Sequence, residues 1–297
     1  MAKSKQKKWR HTVKELPQKA GIVQYAAHAF SVLGSKSAVK KAITGGRLYL
    51  NGKKAGYRDK LKKGDLLELD GAGIREVKKL DLDLDIVYED DFLLVVNKPG
   101  GIAVNGNRNK TVENALSGFN KNNTVVDALP RPIAVHRIDV PTNGLVLLAK
   151  SKTALIQLSK AFQENRIQKE YIALVHGKTD SKGRINNPVG GKPATTVFET
   201  LEIVPSQVFG FISLLKLKPI TGRTHQLRIH LNNKGHLIVG DKQYAKGEKT
   251  ILGKGLMLCA RRLQFEHPVT GKKLDLYIDP PAKFGRILKR EQERFYK

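Results

Sequence analysis

The stretch His136-Arg137-Ile138-Asp139-Val140-Pro141-Thr142-Asn143-Gly144, continued by Leu145-Val146-Leu147-Leu148-Ala149-Lys150, decides how the rest of this chain is read. Its second half is short and apolar and opens on a glycine, the pattern of a buried strand. Its first half is broken by Pro141 and Gly144 and reads as a loop. A histidine, an arginine and a carboxylate within four residues, on a loop held by a buried strand, sit where catalytic groups tend to be placed. Read structurally, the same residues are an Arg–Asp pair that ties down a turn, and such pairs often imitate sites. The remaining segments have to separate the two readings.

Downstream, Ser151 is suited to cap a helix carrying Ala154, Leu155, Leu158, Ala161 and Phe162 at helical spacing. Strands are expected at 169–175, 196–204, 211–218, 257–265 and 273–278. A helix is expected from His225 to about Gly235, capped by Thr224. Residues 283–297 read as a basic helix with Phe284, Ile287 and Leu288 inward. Upstream, Phe92-Leu93-Leu94-Val95-Val96 is a buried strand ending at Asn97-Lys98-Pro99-Gly100-Gly101, followed by a helix at 111–116 and a polar loop at 118–132. Strands and helices mix without strict alternation, so the fold class is α+β.

Further upstream the composition changes. Asp81, Asp83, Asp85, Glu89, Asp90 and Asp91 crowd eleven residues without a base, and 71–83 reads as a linker into the domain 84–297. Before it, Pro17 suits the first turn of a helix with Ile22, Tyr25, Ala26, Ala29 and Phe30 on one face, ended by Gly34. Ser35 or Ser37 can cap a second helix stopped by Gly45-Gly46. Asn51-Gly52 between apolar runs is a strong hairpin signal. Residues 16–70 thus form a small domain of two helices and a small sheet. Residues 1–15 carry Lys3, Lys5, Lys7, Lys8, Arg10 and Lys14 ahead of Glu15, and read as a basic flexible arm.

The 297 residues hold 54 Lys plus Arg against 27 Asp plus Glu, a formal net charge of +27, and that excess points to a polyanion, nucleic acid before membrane. No long apolar span or amphipathic anchor supports the membrane reading. The start of the chain has no apolar stretch behind its lysines and is not read as a secretory signal. A single cysteine, Cys259, excludes an intrachain disulfide and any multi-cysteine metal site, and fits a reducing cytoplasm. The phosphate-loop spacing and the Gly-x-Ser-x-Gly elbow are absent. His225 and His230 would point about 140° apart on a helix, which argues against a metal site. What remains is one carboxylate, Asp139, with Arg137, Arg223, Arg228 and Tyr171 on other segments. A lone carboxylate suits nucleophilic rather than paired acid–base chemistry.

Two resemblances sharpen this reading. Ser35-Lys36-Ser37 through Gly46-Arg47-Leu48-Tyr49-Leu50-Asn51-Gly52 to Lys63-Gly64-Asp65 resembles the S-four type of RNA-binding module, first described in a small-subunit ribosomal protein. That resemblance implies a basic face of Lys36, Lys40, Lys41 and Arg47 that meets RNA by charge and shape. His136-Arg137-Ile138-Asp139…Thr142-Asn143-Gly144-Leu145, Lys169-Glu170-Tyr171, Gly222-Arg223-Thr224-His225-Gln226-Leu227-Arg228-Ile229-His230 and Gly235-His236…Gly240-Asp241 resemble, in order, the motifs of the RluA-type RNA pseudouridine synthases. Asn97-Lys98-Pro99-Gly100-Gly101 is similar to an early motif of that family.

The second resemblance implies a mixed, mostly antiparallel sheet and isomerisation of uridine in structured RNA without a cofactor or metal. Large-subunit ribosomal RNA is the favoured target and transfer RNA the alternative, with the protein acting as a cytoplasmic monomer. It implies that Asp139 is the catalytic carboxylate, that Tyr171 stacks on the base and is a candidate to take its proton, and that Arg228 pairs with Asp139. Arg137 would fill the gap left by the extruded base, whose unstacking costs roughly a few kcal/mol. His136 and Arg223 fall within the same substrate-binding motifs. The chain departs from the family pattern at Ile138, Val140-Pro141, Asn143 and Cys259, and Val140-Pro141, next to Asp139, puts substrate contacts in doubt. The competing function is an RNA- or ribosome-binding factor that no longer catalyses.

Overall fold

Residues 8–14, 21–30, 32–33, 36–71, 82–106, 110–120, 122–245, 247, 250–251 and 253–297 are described by the computed structural model of the chain. They fall into two units, Met1–Lys78 and Lys79–Lys297. In the first, side chains of period two set strand β1 (Lys8–Thr12), with α1 (Ile22–Ala29), α2 (Lys36–Thr44), β2 (Leu48–Leu50), β3 (Lys53–Lys54) and β4 (Leu66–Asp70) following. The sheet order is β1-β4-β2-β3. Asn51 and Gly52 both take positive φ, 49° and 80°, and so close the two-residue β2–β3 hairpin expected of that pair. Val39, Ala42, Ile22, Ala26, Leu48, Leu67 and Leu69 form the core.

The basic arm expected over 1–15 is corrected in part. Residues 8–12 pair antiparallel with β4 from Lys8↔Asp70 to Thr12↔Leu66. Trp9 packs against the core, Val13 is buried, and Arg10 reaches out to Glu68 at 2.9 Å. The lysines hide this alternation from a reading based on charge. Ser37 lies inside α2 and does not cap it. The expectations for Pro17, Gly34 and Ser35, and most of the linker at 71–83, fall outside the described residues.

The second unit contains β5 (Asp85–Glu89), β6 (Leu93–Lys98), α3 (Val112–Ala115), β7 (Ala128–Ala134), β8 (Asn143–Ser151), α4 (Lys152–Gln163), β9 (Gln168–His176), β10 (Lys182–Ile185), β11 (Thr196–Ser206), β12 (Gly210–Pro219), α5 (Gln226–Asn233), β13 (Leu258–Glu266), β14 (Lys273–Tyr277) and α6 (Lys283–Phe295). Among the described residues its sheet runs β10-β11-β12-β9-β13-β8-β6-β5, with β14 on β13 and β7 on β8. Every pairing is antiparallel except β8 with β13, which meet only at Asn143↔Cys259 and Gly144↔Ala260. The architecture is α+β with a mixed, mostly antiparallel sheet.

Strand β8 is the apolar run of the opening stretch, and both its faces are covered. Leu145, Leu147 and Ala149 pack with Ala154 and Leu158 of α4, while Val146 and Leu148 pack with Ile138 and Val112. Ser151 caps α4 by accepting from the Ala154 amide at 3.2 Å. Part of the polar loop expected at 118–132 is instead β7. Its Pro130 and Pro132 leave it only three residue pairs with β8 and a register shift, as befits a strand at a sheet margin.

The parallel seam positions the site. Register places Lys98, Gly144, Ala260, Tyr171 and Leu217 in one row across β6, β8, β13, β9 and β12. Directly paired residues face the same side of a sheet. A hydrogen and a methyl group therefore form the floor between the side chains of Lys98 and Tyr171. Gly144 is required there: its φ is 119°, and a Cβ would collide with the Ala260 main chain.

Candidate active site

The loop before β8 is anchored from beneath. Lys98 is fully buried, and its Nζ donates to the carbonyls of Pro99 (2.9 Å), Ile102 (3.0 Å) and Val140 (3.2 Å). Gly101 N also donates to Val140 O at 2.7 Å, and Thr142 N to Asp139 O at 3.1 Å. Burial pulls the Lys98 ammonium down to about 8, with the charge of Asp139 pushing the other way. Val140 is thus used through its main chain. Neither it nor Pro141 is among the residues lining the adjacent cleft.

That cleft, about 570 Å³, is lined by His136, Arg137, Asp139, Lys169, Tyr171, Arg223, His225 and Arg228, among others. Its size lies within the range of small-ligand sites. Asp139 Oδ2 is 3.5 Å from Arg228 Nη1, and Asp139 Oδ1 is 3.7 Å from His225 Nε2. Arg228, however, does not pair chiefly with Asp139. Its Nε and Nη2 grip Asp241 Oδ2 and Oδ1 at 2.7 Å each, Nη2 also reaches Gln243, and the Tyr244 ring lies 5.0 Å from the guanidinium. The fork fits a carboxylate edge on, so Asp241 takes two of its three nitrogens and leaves Nη1 for Asp139. Asp241 in turn accepts from the amides of Gln243 and Tyr244.

Arg137 is exposed on the cleft wall, and among the described residues no ion pair joins it to Asp139, so the turn-locking pair does not form. His136 is committed to the fold: its Nε2 accepts from Leu147 N at 2.9 Å and its ring stacks on Phe162. Burial, with help from the charge on Lys169, pulls it down to about 3, so it stands neutral in the cleft wall. Burial and then the charge of Asp139 push the Tyr171 phenol well up, keeping it protonated. Arg223 is exposed at the mouth, its Nε donating to Pro193 O at 3.1 Å. Cys259, beneath the floor, is pushed up to about 12 by burial and is inert. Lys36, Lys40 and Lys41 are exposed on α2 and Arg47 is half-buried, all in the other unit and outside the cleft lining.

The start of α5 corrects the expected cap at Thr224. His225 precedes the helix with φ 56° and no side-chain cap, while the Gln226 side chain accepts from Thr221 Oγ1 and Arg223 N. His230 is buried against Thr196 and the Asn187 carbonyl, and His236 bonds to the His176 carbonyl. Sequence reasoning gave no role to Lys98, Lys169, His225, Asp241 or Tyr244. The first four stand inside family-like motifs; nothing local marks Tyr244.

The sequence profile described as RNA pseudouridylate synthase matches residues 92–233. The chain is 35% identical to ribosomal large subunit pseudouridine synthase C of Buchnera aphidicola subsp. Schizaphis graminum (strain Sg), over 85% of this chain and 88% of that protein. It is 37% identical to dual-specificity RNA pseudouridine synthase RluA of Pasteurella multocida (strain Pm70), over 67% and 94% respectively. The solved structure of human RNA pseudouridylate synthase domain containing 4 superposes with a TM-score of 0.56 at 25% identity, over 69% of this chain and 92% of that one. With these similarities running through the segments that build the cleft, the chain belongs to the RluA family and is an RNA pseudouridine synthase.

Proposed function

We propose that this enzyme isomerises uridine in large-subunit ribosomal RNA, with Asp139 as the carboxylate that acts at the ribose carbon bearing the base. The carrying observation is that Asp139, Tyr171 and Arg228, from three distant segments, share one cleft. In the isomerisation the C1′–N1 bond breaks, the uracil turns, and C1′ joins C5. C5 loses a proton and N1 gains one, so no atom is added. Arg228 Nη1 faces the carboxylate from one side, 3.5 Å from Oδ2. Tyr171 offers its ring as a stacking surface; its raised phenol argues against it as a resting proton acceptor. Arg137, exposed on the wall, fills the space of the extruded base, Arg223 meets phosphate at the mouth, and His136 with Phe162 forms an apolar wall.

The N-terminal unit, with its S-four-like pattern, supplies further RNA affinity through Lys36, Lys40, Lys41 and Arg47. Ribosomal rather than transfer RNA is favoured because the Buchnera relative is named for the large subunit. We place the enzyme in the cytoplasm as a monomer. Tritium release from RNA labelled at uridine C5 tests the reading. Wild-type protein should release tritium from 23S-type RNA, and Asp139→Ala should release none while still binding it. Release from transfer RNA alone would overturn the target, and an active Asp139→Ala would overturn the assignment.

A further inference from the structure

His225 holds a backbone conformation that side chains other than glycine rarely adopt, φ 56°, directly before α5. Such strain persists only where the surroundings enforce it, and it gathers at functional sites. Here the neighbouring Gln226 is buried and bonded to Thr195 O and Thr196 Oγ1, which pins the turn. The imidazole is thereby delivered into the cleft between two partners. Its Nδ1 is 2.9 Å from the Tyr244 hydroxyl, and its Nε2 is 3.7 Å from Asp139 Oδ1. The two rings meet edge to face, at 89°.

These partners distinguish between the two tautomers of the ring. A carboxylate can only accept, whereas a tyrosine hydroxyl can donate or accept. An imidazole protonated at Nδ1 would aim its Nε2 lone pair at the Asp139 carboxylate. One protonated at Nε2 aims a donor there, and its Nδ1 then accepts the Tyr244 proton. Only the second arrangement satisfies all three groups. Tyr244 serves twice, since its ring also lies against the Arg228 guanidinium that faces Asp139 Oδ2.

We infer that His225 and Tyr244 are positioning residues for the Asp139 carboxylate: the imidazole holds Oδ1 in its Nε2–H form, fixed by the Tyr244 hydroxyl, while Arg228 holds Oδ2. The carboxylate is then presented to the substrate in a single rotation. The inference rests on Asp139 being the reacting carboxylate. At 3.5 and 3.7 Å the two contacts lie at or beyond the long end of hydrogen bonding, so they orient the carboxylate chiefly by charge and bond dipole.

The test compares tritium release and RNA affinity for wild type, Asp139→Asn, His225→Ala, His225→Gln, Tyr244→Phe and the double variant His225→Ala/Tyr244→Phe. A carboxylate left free to rotate should lower kcat about 10- to 100-fold in His225→Ala, with KM within about twofold, because misplacement by an ångström has effects of that size. His225→Gln should recover much of the loss, since its amide offers an N–H at a reach similar to Nε2. Tyr244→Phe keeps the ring and should lose less than His225→Ala. The double variant should match His225→Ala alone, because Tyr244 acts through His225. Wild-type kcat in His225→Ala beside an inactive Asp139→Asn would overturn the inference. So would Gln performing no better than Ala, or losses that multiply in the double variant. If His225→Ala does not fold, a wild-type kcat in Tyr244→Phe overturns it instead. An active Asp139→Asn would overturn the assignment of Asp139 itself, a different failure.

Discussion

The cations of α2 and the cations of the cleft are held in opposite ways. Lys36, Lys40 and Lys41 are exposed, and the bond from Lys36 to Gln24 is long, at 3.4 Å. Arg228 and Lys98 are buried, and their donors are spent on named oxygens at 2.7 to 3.5 Å. Exposed lysines on flexible stems attract a polyanion without orienting it, and salt screens them. A buried guanidinium with two nitrogens clamped can point its third in only one direction. The first arrangement suits affinity and the second suits geometry. Substitutions in the two regions should therefore fail differently.

The largest effect expected is on the cleft floor. Gly144→Ala adds a methyl group where the Ala260 main chain already lies, at a φ that alanine resists. It should lower stability by on the order of 3 kcal/mol, read from the urea midpoint. A midpoint like that of wild type would mean that the seam between β8 and β13 can open, and that the cleft is less fixed than the contrast requires.

Arg228→Lys comes next. It keeps the charge but not the fork that serves Asp241 and Asp139 together, so kcat should fall roughly 100-fold with KM little changed. A rise in KM at constant kcat would make Arg228 an affinity cation like those of α2 and would break the comparison.

The third test is pH. Lys98 loses its proton as pH rises through about 8 and with it one of its donors to the Pro99, Ile102 and Val140 carbonyls. The loop carrying Asp139 should loosen, so kcat should decline over that limb, and Lys98→Met should be slower with no limb there. The stability contribution runs the other way. An unfolded lysine keeps its proton to about 10.4, so between the two values folding releases a proton and this group's contribution rises with pH. Activity falling while that contribution rises identifies an anchor rather than global unfolding.

The smallest effect belongs to α2. Replacing Lys36, Lys40 and Lys41 by Gln should weaken RNA binding, and the log–log salt slope should shrink by about 0.7 for each phosphate that is no longer neutralised. Single-turnover kcat should not move. An unchanged slope would remove α2 from the RNA interface.

Local signals account for what was legible before folding. Asn51-Gly52 needs only its own two dihedrals to make a hairpin, and Ser151 needs only the next turn of helix to act as a cap. Asp139, Tyr171 and Arg228 could be singled out as candidates because each stands in a short motif. Strand β1 is hidden in the sequence because lysines obscure its Trp9 and the Val13 that follows it, and β7 because Pro130 and Pro132 argue against a strand wherever the sheet margin is not known. The positive φ of His225 has no local signal, since histidine, though it reaches that region more readily than most side chains, does so in a small minority of cases.

By itself, then, the sequence determined most of the elements, the α+β class and the set of residues from which a site could be built, because periodicity, caps and turns are interactions over a few residues. Tertiary structure decided the row that sets Lys98 and Tyr171 on either side of Gly144 and Ala260. It also decided how Arg228 divides between Asp241, 13 residues away, and Asp139, 89 residues away. The direction of a fork and the register of a strand depend on every pairing between the partners, and that information exists only once the sheet has closed.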